Sequence, residues 1–150
     1  MLDIKLIKNT TDLNKTSSTD EVIDFLFIHL GQFGDTKQAI RHCLDYAFSP
    51  ESGKGGFLLN AYYENKLVGV LIMNNTGMKE YIPENILVYI AVDSSCRGKG
   101  FGKEIIEKAI ELTKGAMKLH VEYDNPAIRL YERLGFENKY AEMRYSAKNK

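Results

Sequence analysis

Apolar and polar positions alternate at the start of the chain, with Leu2, Ile4 and Leu6 set against Asp3, Lys5 and Lys8. A period of two predicts a half-buried first strand. Thr10 to Thr19 holds six Ser and Thr residues and is expected to be a loop. The period then changes to that of a helix. Val22, Phe25, Leu26, His29, Leu30 and Phe33 form one stripe, and Ala39, Ile40, Cys43, Leu44 and Ala47 form the next. Gly31 and Gly34 punctuate the join, and Asp35 with Gln38 three residues on has the spacing of a capping pair. Residues 49–56, Ser-Pro-Glu-Ser-Gly-Lys-Gly-Gly, break the pattern. Phe57–Tyr63 and Leu67–Met73 read as strands of a hairpin turning at Glu64-Asn65-Lys66. A long connection, residues 74–85, leads to the unbroken apolar run Ile86–Val92, which has the character of a strand buried on both faces. A glycine-rich segment follows, then an amphipathic helix carrying Phe101, Ile105, Ala109, Ile110 and Thr113. Met117–Glu122 is a further strand. Asn125-Pro126 opens a short helix with Ala127, Leu130, Tyr131 and Leu134 on one face, closed by Gly135. Phe136–Ala147 is expected to supply one or two closing strands. The order β-αα-βββ-α-β-α-ββ predicts one mixed α/β domain over residues 1–150.

Composition narrows the class of partner. At 44% hydrophobic and 27% charged residues, the chain resembles ordinary globular proteins rather than disordered ones. Twenty basic residues balance twenty acidic ones, which excludes a chain-wide basic footprint for nucleic acid or anionic lipid. The longest apolar run has seven residues, against roughly 20 needed to span a bilayer. Met1-Leu2-Asp3-Ile4-Lys5 has an acid where a signal peptide would be basic. Cys43 and Cys96 provide neither a disulfide framework nor a metal spacing, and His29 and His42 are too isolated to argue for a metal. A reduced cytoplasmic location without metal, membrane or nucleic acid is the expectation.

The informative segment is the one between the buried strand and the amphipathic helix, Arg97-Gly98-Lys99-Gly100-Phe101-Gly102-Lys103. A helix N-terminus has unpaired backbone N–H groups and partial positive charge, so it favours anions. Glycines let a phosphate approach the backbone and permit positive φ. Residues 94–103 contain Arg97, Lys99 and Lys103 and no acid, a local charge of +3. These features together point to a phosphate-bearing ligand. Neither nucleotide fingerprint fits. The glycines lack the dinucleotide spacing and come late in the chain, and Gly102-Lys103 is followed by Glu104 where a mononucleotide loop needs Ser or Thr.

Arg97-Gly98-Lys99-Gly100-Phe101-Gly102, preceded by Val88-Tyr89-Ile90-Ala91-Val92, resembles the Arg/Gln-x-x-Gly-x-Gly/Ala signature of the GNAT superfamily of acyl-coenzyme A-dependent N-acetyltransferases. A second block, residues 125–136 ending in Leu130-Tyr131-Glu132-Arg133-Leu134-Gly135-Phe136, is similar to that family's later helix. The resemblance implies a mixed twisted sheet of about six to seven strands flanked by about four helices. It implies that acetyl-coenzyme A is the cosubstrate, with its pyrophosphate on Arg97, Gly98, Lys99, Gly100, Phe101, Gly102 and Lys103. Ala91 and Val92 would line the pantetheine arm, Asn125 would contact the coenzyme, and Tyr131 would stand beside the thioester sulfur. Two departures are visible. Ser94 occupies a position where the family often has proline, and the later block is one residue short, so Asp124 or Asn125 fills the usual asparagine place.

Acyl transfer to an amine needs a base, an oxyanion donor and an acid for the departing thiolate. A tyrosine, neutral at pH 7, suits the last of these; spacing alone favours a packing role for Tyr131, and the family resemblance makes it the candidate. Glu122 and Glu84 are the candidate bases, with Tyr89 and His120 on strands bordering the cleft. Cys96, beside the loop, has no base nearby in sequence and reads as a loop residue. The acceptor is expected to be a small-molecule or peptide amine. The rival readings are a non-catalytic acyl-coenzyme A-binding or regulatory domain and a nucleotide-binding module. A homodimer is among the oligomeric states left open.

Overall fold

The computed structural model describes residues 1–147. The chain folds as β1 (Asp3–Ile7), α1 (Thr10–Leu13), α2 (Thr19–Leu30), α3 (Lys37–Ala47), β2 (Gly56–Tyr63), β3 (Lys66–Asn75), β4 (Asn85–Val92), α4 (Phe101–Leu112), β5 (Met117–Leu119) and α5 (Ile128–Arg133), with short 3₁₀ turns at Gly31–Phe33 and Ser94–Cys96. The strands form one sheet in the order β1-β2-β3-β4-β5. The first four are antiparallel to their neighbours, while β4 and β5 run parallel. The expected mixed sheet is therefore present, with five strands among the described residues rather than six to seven.

The first three helices each start where a side chain satisfies an open backbone N–H. Asn9, Ser18 and Thr36 accept from the third residue on, at Asp12, Glu21 and Ala39. The expected cap Asp35 is displaced by Thr36, because the Asp35 carboxylate accepts the Tyr89 hydroxyl at 2.6 Å. Asn9 also turns part of the expected Thr10–Thr19 loop into the single turn of α1. In the hairpin, Glu64 (φ 52°) and Asn65 (φ 65°) form the two-residue turn that matches strand twist, so Lys66 belongs to β3.

The sheet is covered on both faces. Val22, Phe25, Leu26, Ile40, Cys43 and Leu44 of α2 and α3 pack with Leu58, Val70, Ile72, Tyr89 and Ala91. Phe101, Ile105, Ile106 and Ala109 of α4 pack with Tyr131 of α5 and with Leu59, Leu71, Met73 and Leu87. Ile110, expected on the buried side of α4, is 40% exposed. Residues 137–147 are exposed and contain no strand, so the expected closing strands are not formed.

Two features open the sheet at the position of interest. In the β3–β4 pairing Ile72 faces Tyr89 while Met73 faces Leu87, which leaves Val88 as an extra residue on β4. Such a bulge bends its strand and changes which face later residues present. Leu87 packs on the α4 side, whereas Val88 and Tyr89 both pack on the α2–α3 side. In addition, β5 pairs with β4 only from Asn85 to Leu87. The Asn85 side chain fixes that contact by donating to the carbonyls of Lys114 (2.7 Å) and Ala116 (3.1 Å). Beyond it the two strands part. β4 is therefore not buried on both faces: Leu87, Tyr89 and Ala91 are buried, but Ile86, Val88, Ile90 and Val92 are only half-buried.

Candidate functional site

At the C-terminal end of β4 the chain makes a turn, Ser94–Cys96, then the glycine loop, then α4. Gly98 has φ 83° and Gly100 has φ 81°, and a Cβ at either would meet no atom within 4 Å. Glycine is needed there for backbone conformation rather than for space. Gly100 is also the N-cap of the 12-residue α4, and no side chain caps it. The N–H groups of the first turn are therefore left for another partner. Lys99 and Lys103 are exposed around this end, and the first acid of the helix is Glu104. This arrangement fits a pyrophosphate.

Arg97 has a different placement from the one expected. Its guanidinium Nη2 donates to the carbonyl of His29 at 2.6 Å, binding the loop to the last turn of α2. Asp93, 8% exposed, accepts from the N–H (2.9 Å) and hydroxyl (2.7 Å) of Ser95, which hold its carboxyl below the usual carboxylate range, helped by His29 and Lys66. Neither Asp93 nor His29 stood out in the sequence as part of the site. They are 64 positions apart along the chain, so only the fold brings them together.

Helix α5 packs against the start of α4. A Cβ built on Gly102 would sit 3.5 Å from Leu130 Cδ2 and 3.8 Å from Val92 Cγ2, so the end of β4, the first turn of α4 and the middle of α5 converge there. Tyr131, next to Leu130, is buried in the same cluster as Phe101, and burial raises its phenol to about 12. The termination of α5 explains how it is held. Phe136 N–H donates to the Tyr131 carbonyl (3.0 Å), Gly135 N–H donates to Glu132 (3.1 Å), and Gly135 has φ 100°. That is a Schellman ending, which brings the residue after the glycine against the residue five before it. The rings of Tyr131 and Phe136 meet edge to face at 5.8 Å. Asn125 makes a local contact, its Oδ1 accepting from Ala127 N–H at 2.9 Å.

The structure thus brings Val92, the Gly98–Gly102 loop, Phe101 and Tyr131 to one end of the sheet. It does not bring Glu84 there. Glu84 precedes β4, whose eight residues separate it from the loop by roughly 25 Å. Its carboxylate lies against Gly115, where a Cβ would meet Oε2 at 2.4 Å, in the wall of a cavity of about 450 Å³ also lined by Lys8, Lys54 and Lys114. Glu122 is exposed in the segment joining β5 to α5, and His120 is likewise exposed. Tyr89 faces α2 and α3, its hydroxyl on Asp35, and burial together with that carboxylate raises it well above the usual phenol range.

A family model described as Acetyltransferase (GNAT) family matches residues 30–136. The chain belongs to this acetyltransferase family. The match spans the end of α2 through the Schellman ending of α5, and so contains the whole glycine loop and Tyr131. No curated protein matches the chain. Solved structures share the fold at low identity. A ribosomal-protein-alanine N-acetyltransferase from Brucella melitensis biovar Abortus 2308 has a TM-score of 0.66 and 19% identity, over 98% of this chain and 99% of that one. An aminoglycoside acetyltransferase from an uncultured soil metagenomic sample has a TM-score of 0.68 and 17% identity, covering 99% of each chain. An aminoglycoside N-acetyltransferase, AAC(6')-Iy, solved in complex with coenzyme A, has a TM-score of 0.67 and 16% identity over 99% of this chain and 95% of that one. Among the described residues no helix is long and apolar enough to cross a membrane.

Proposed function

We propose that the protein transfers the acetyl group of acetyl-coenzyme A to a primary amine by direct attack, through a tetrahedral intermediate. The observation that carries this reading is the convergence of β4, the uncapped start of α4 and Leu130 of α5 at Gly102, with Tyr131 buried in the same cluster. Acetyl-coenzyme A supplies an activated acetyl group as a thioester. The N–H groups of the Gly98–Phe101 loop and the first turn of α4 hold its pyrophosphate, with Lys99 and Lys103 adding charge. The outer edge of β4 beyond Leu87 is unpaired by β5, so Ala91 and Val92 offer backbone groups to the pantetheine arm. Those same edge N–H groups are the donors for the developing oxyanion.

Tyr131 is the proton donor. Burial keeps its hydroxyl protonated, and a neutral phenol can give a proton to a departing thiolate, which an ionised one cannot. Glu122 takes the role of base for the incoming ammonium, because it follows Leu119, the last residue of β5 to pair with β4, whereas Glu84 stands at the other end of β4. The acceptor is a small-molecule or peptide amine, in keeping with the aminoglycoside and ribosomal-protein-alanine names among the structural neighbours.

Isothermal titration with acetyl-coenzyme A tests the first half of this reading; saturable binding is expected, and none at millimolar ligand would overturn it. A panel of peptide, polyamine and aminoglycoside amines, read by thiol release, tests the second half. Tyr131→Phe is expected to slow turnover at least tenfold while leaving coenzyme affinity within about twofold. Binding without transfer to any amine would favour the non-catalytic reading instead.

A further inference from the structure

His29 lies outside the glycine motif yet touches its base at two points. Its ring Nδ1 accepts the Ser94 N–H at 3.2 Å, and its backbone carbonyl accepts Arg97 Nη2 at 2.6 Å. These are the residues that flank Ser95–Cys96, the turn immediately ahead of Gly98. The other ring nitrogen, Nε2, lies 3.9 Å from Asp93 Oδ2, and the Asp93 carboxylate in turn accepts from Ser95. The ring itself is only 15% exposed and rests on Phe25 with 4.5 Å between centroids. An imidazole nitrogen that accepts a backbone N–H cannot carry a proton, so the proton belongs on Nε2, on the side of Asp93. The carbonyl contact is also favourable for its place in α2, since a helix C-terminus carries partial negative charge and welcomes a guanidinium.

We propose that His29 is a positioning residue for the coenzyme loop, holding both flanks of the Ser94–Arg97 turn so that Gly98–Gly102 starts from a fixed point. The proposal rests on the reading that this loop binds acetyl-coenzyme A. A loop that includes two left-handed glycines loses much conformational freedom when it closes on a phosphate. Fixing its first residues in advance removes part of that loss from the binding step. It also ties the loop to α2, so that a change at the end of that helix is felt where the pyrophosphate sits.

Three substitutions separate this role from simple packing. His29→Asn keeps an acceptor at the place of Nδ1, His29→Gln keeps polar atoms only at the place of Nε2, and His29→Phe keeps the ring on Phe25 with no nitrogen. The carbonyl contact to Arg97 is main chain and survives in all three. The affinity of each variant for coenzyme A is measured by titration calorimetry, alongside amide hydrogen exchange at Ser94 without ligand. His29→Gln and His29→Phe are expected to weaken binding about fivefold, the worth of one hydrogen bond, and to speed Ser94 exchange. His29→Asn is expected to restore both to within about twofold of the native protein. In turnover assays the change falls on KM for acetyl-coenzyme A rather than on kcat.

Equal affinity in all three variants overturns the proposal, and so does equal weakening that includes His29→Asn. Failure of the native protein to bind coenzyme A is a different result. It would overturn the functional reading, while Ser94 exchange would still report whether His29 holds the turn.

Discussion

The three loop glycines carry different duties, and alanine substitution at each separates conformation from space. Gly98 and Gly100 have φ near +80° with no atom within 4 Å of a would-be Cβ. An alanine there meets no neighbour, but holds a left-handed backbone at about 1–2 kcal/mol. The stiffer unfolded chain returns about 0.4–1 kcal/mol of that. Each variant should thus lose up to about 1.6 kcal/mol, a fall of up to roughly 6 °C in Tm for a chain of this size. Gly102 is the opposite case. It lies within α4, and its Cβ would make ordinary contacts at 3.5 Å with Leu130 and 3.8 Å with Val92. Gly102→Ala should be neutral or raise stability by up to about 1 kcal/mol through helix propensity. Urea denaturation without ligand, followed by coenzyme A titration of the same samples, measures both properties. Gly98→Ala and Gly100→Ala should bind coenzyme A about tenfold more weakly, because the amides no longer point together, and Gly102→Ala should bind within about threefold of the native protein. A Gly102→Ala variant destabilised by more than about 1 kcal/mol would refute the reasoning. So would a Gly100→Ala variant with native stability and native affinity.

Other expected outcomes rest on single groups. Tyr131 is raised from 10 to about 12 by burial, so the folded state binds its proton more tightly than the unfolded chain. The resulting stabilisation, about 3 kcal/mol, is complete below pH 10 and is lost as pH rises toward 12. Urea midpoints between pH 9 and 12 should therefore fall more steeply for the native protein than for Tyr131→Phe; parallel curves would contradict the burial of that hydroxyl. Gly135→Ala should cost about 1 kcal/mol, since φ 100° is a glycine conformation, and should lower turnover along with it by loosening the Schellman ending that holds Tyr131. Cys43 is buried, and burial pushes its thiol to about 12, whereas Cys96 is half-buried. Ellman's reagent at pH 8 should titrate one thiol rapidly in the folded protein and two after denaturation.

Local patterns were legible where the physics is local. The stripes of α2, α3 and α4, the hairpin and the glycine loop all follow from periodicity and breaker residues within ten or so positions. Tyr131 was legible as a member of an apolar stripe, and the family motif gave it a role. Features that depend on partners were not legible. The Val88 bulge is visible only in the register against β3, because the run Ile86–Val92 is apolar throughout and marks no extra residue. Asp35 was expected to cap α3 on its spacing to Gln38, a pairing that Thr36 lacks; the cap falls to Thr36 because Tyr89, 54 positions away, occupies the Asp35 carboxylate. Glu84 was a candidate base as the acid that precedes β4, but an extended strand places its two ends far apart. In the C-terminal stretch, Ala141, Met143 and Tyr145 alternate with Glu142 and Arg144 as a strand would. Alternation predicts a strand only where the segment docks on a sheet edge, and this one stays undocked, with Met143 91% exposed.

The block from Leu130 to Phe136 concentrates its architectural restraints on the residue to which the proposed function gives the acid role. Its glycine ends the helix, its phenylalanine is drawn back over the last turn, and the residue this ending grips, by carbonyl and by ring, is Tyr131. Leu130 meanwhile lies against Gly102, so the grip is exerted at the start of α4. A tyrosine placed there by stripe packing alone would be held on one side; the helix ending adds a second restraint from the opposite direction. On the other flank of the loop, His29 and Asp93 restrain the turn that precedes Gly98. The glycine loop is thus set between two fixed points that come from helices on opposite faces of the sheet. Under the proposed function, precise placement of an acid against a bound thioester needs both, because a loop anchored on one side only would let the coenzyme shift relative to the tyrosine.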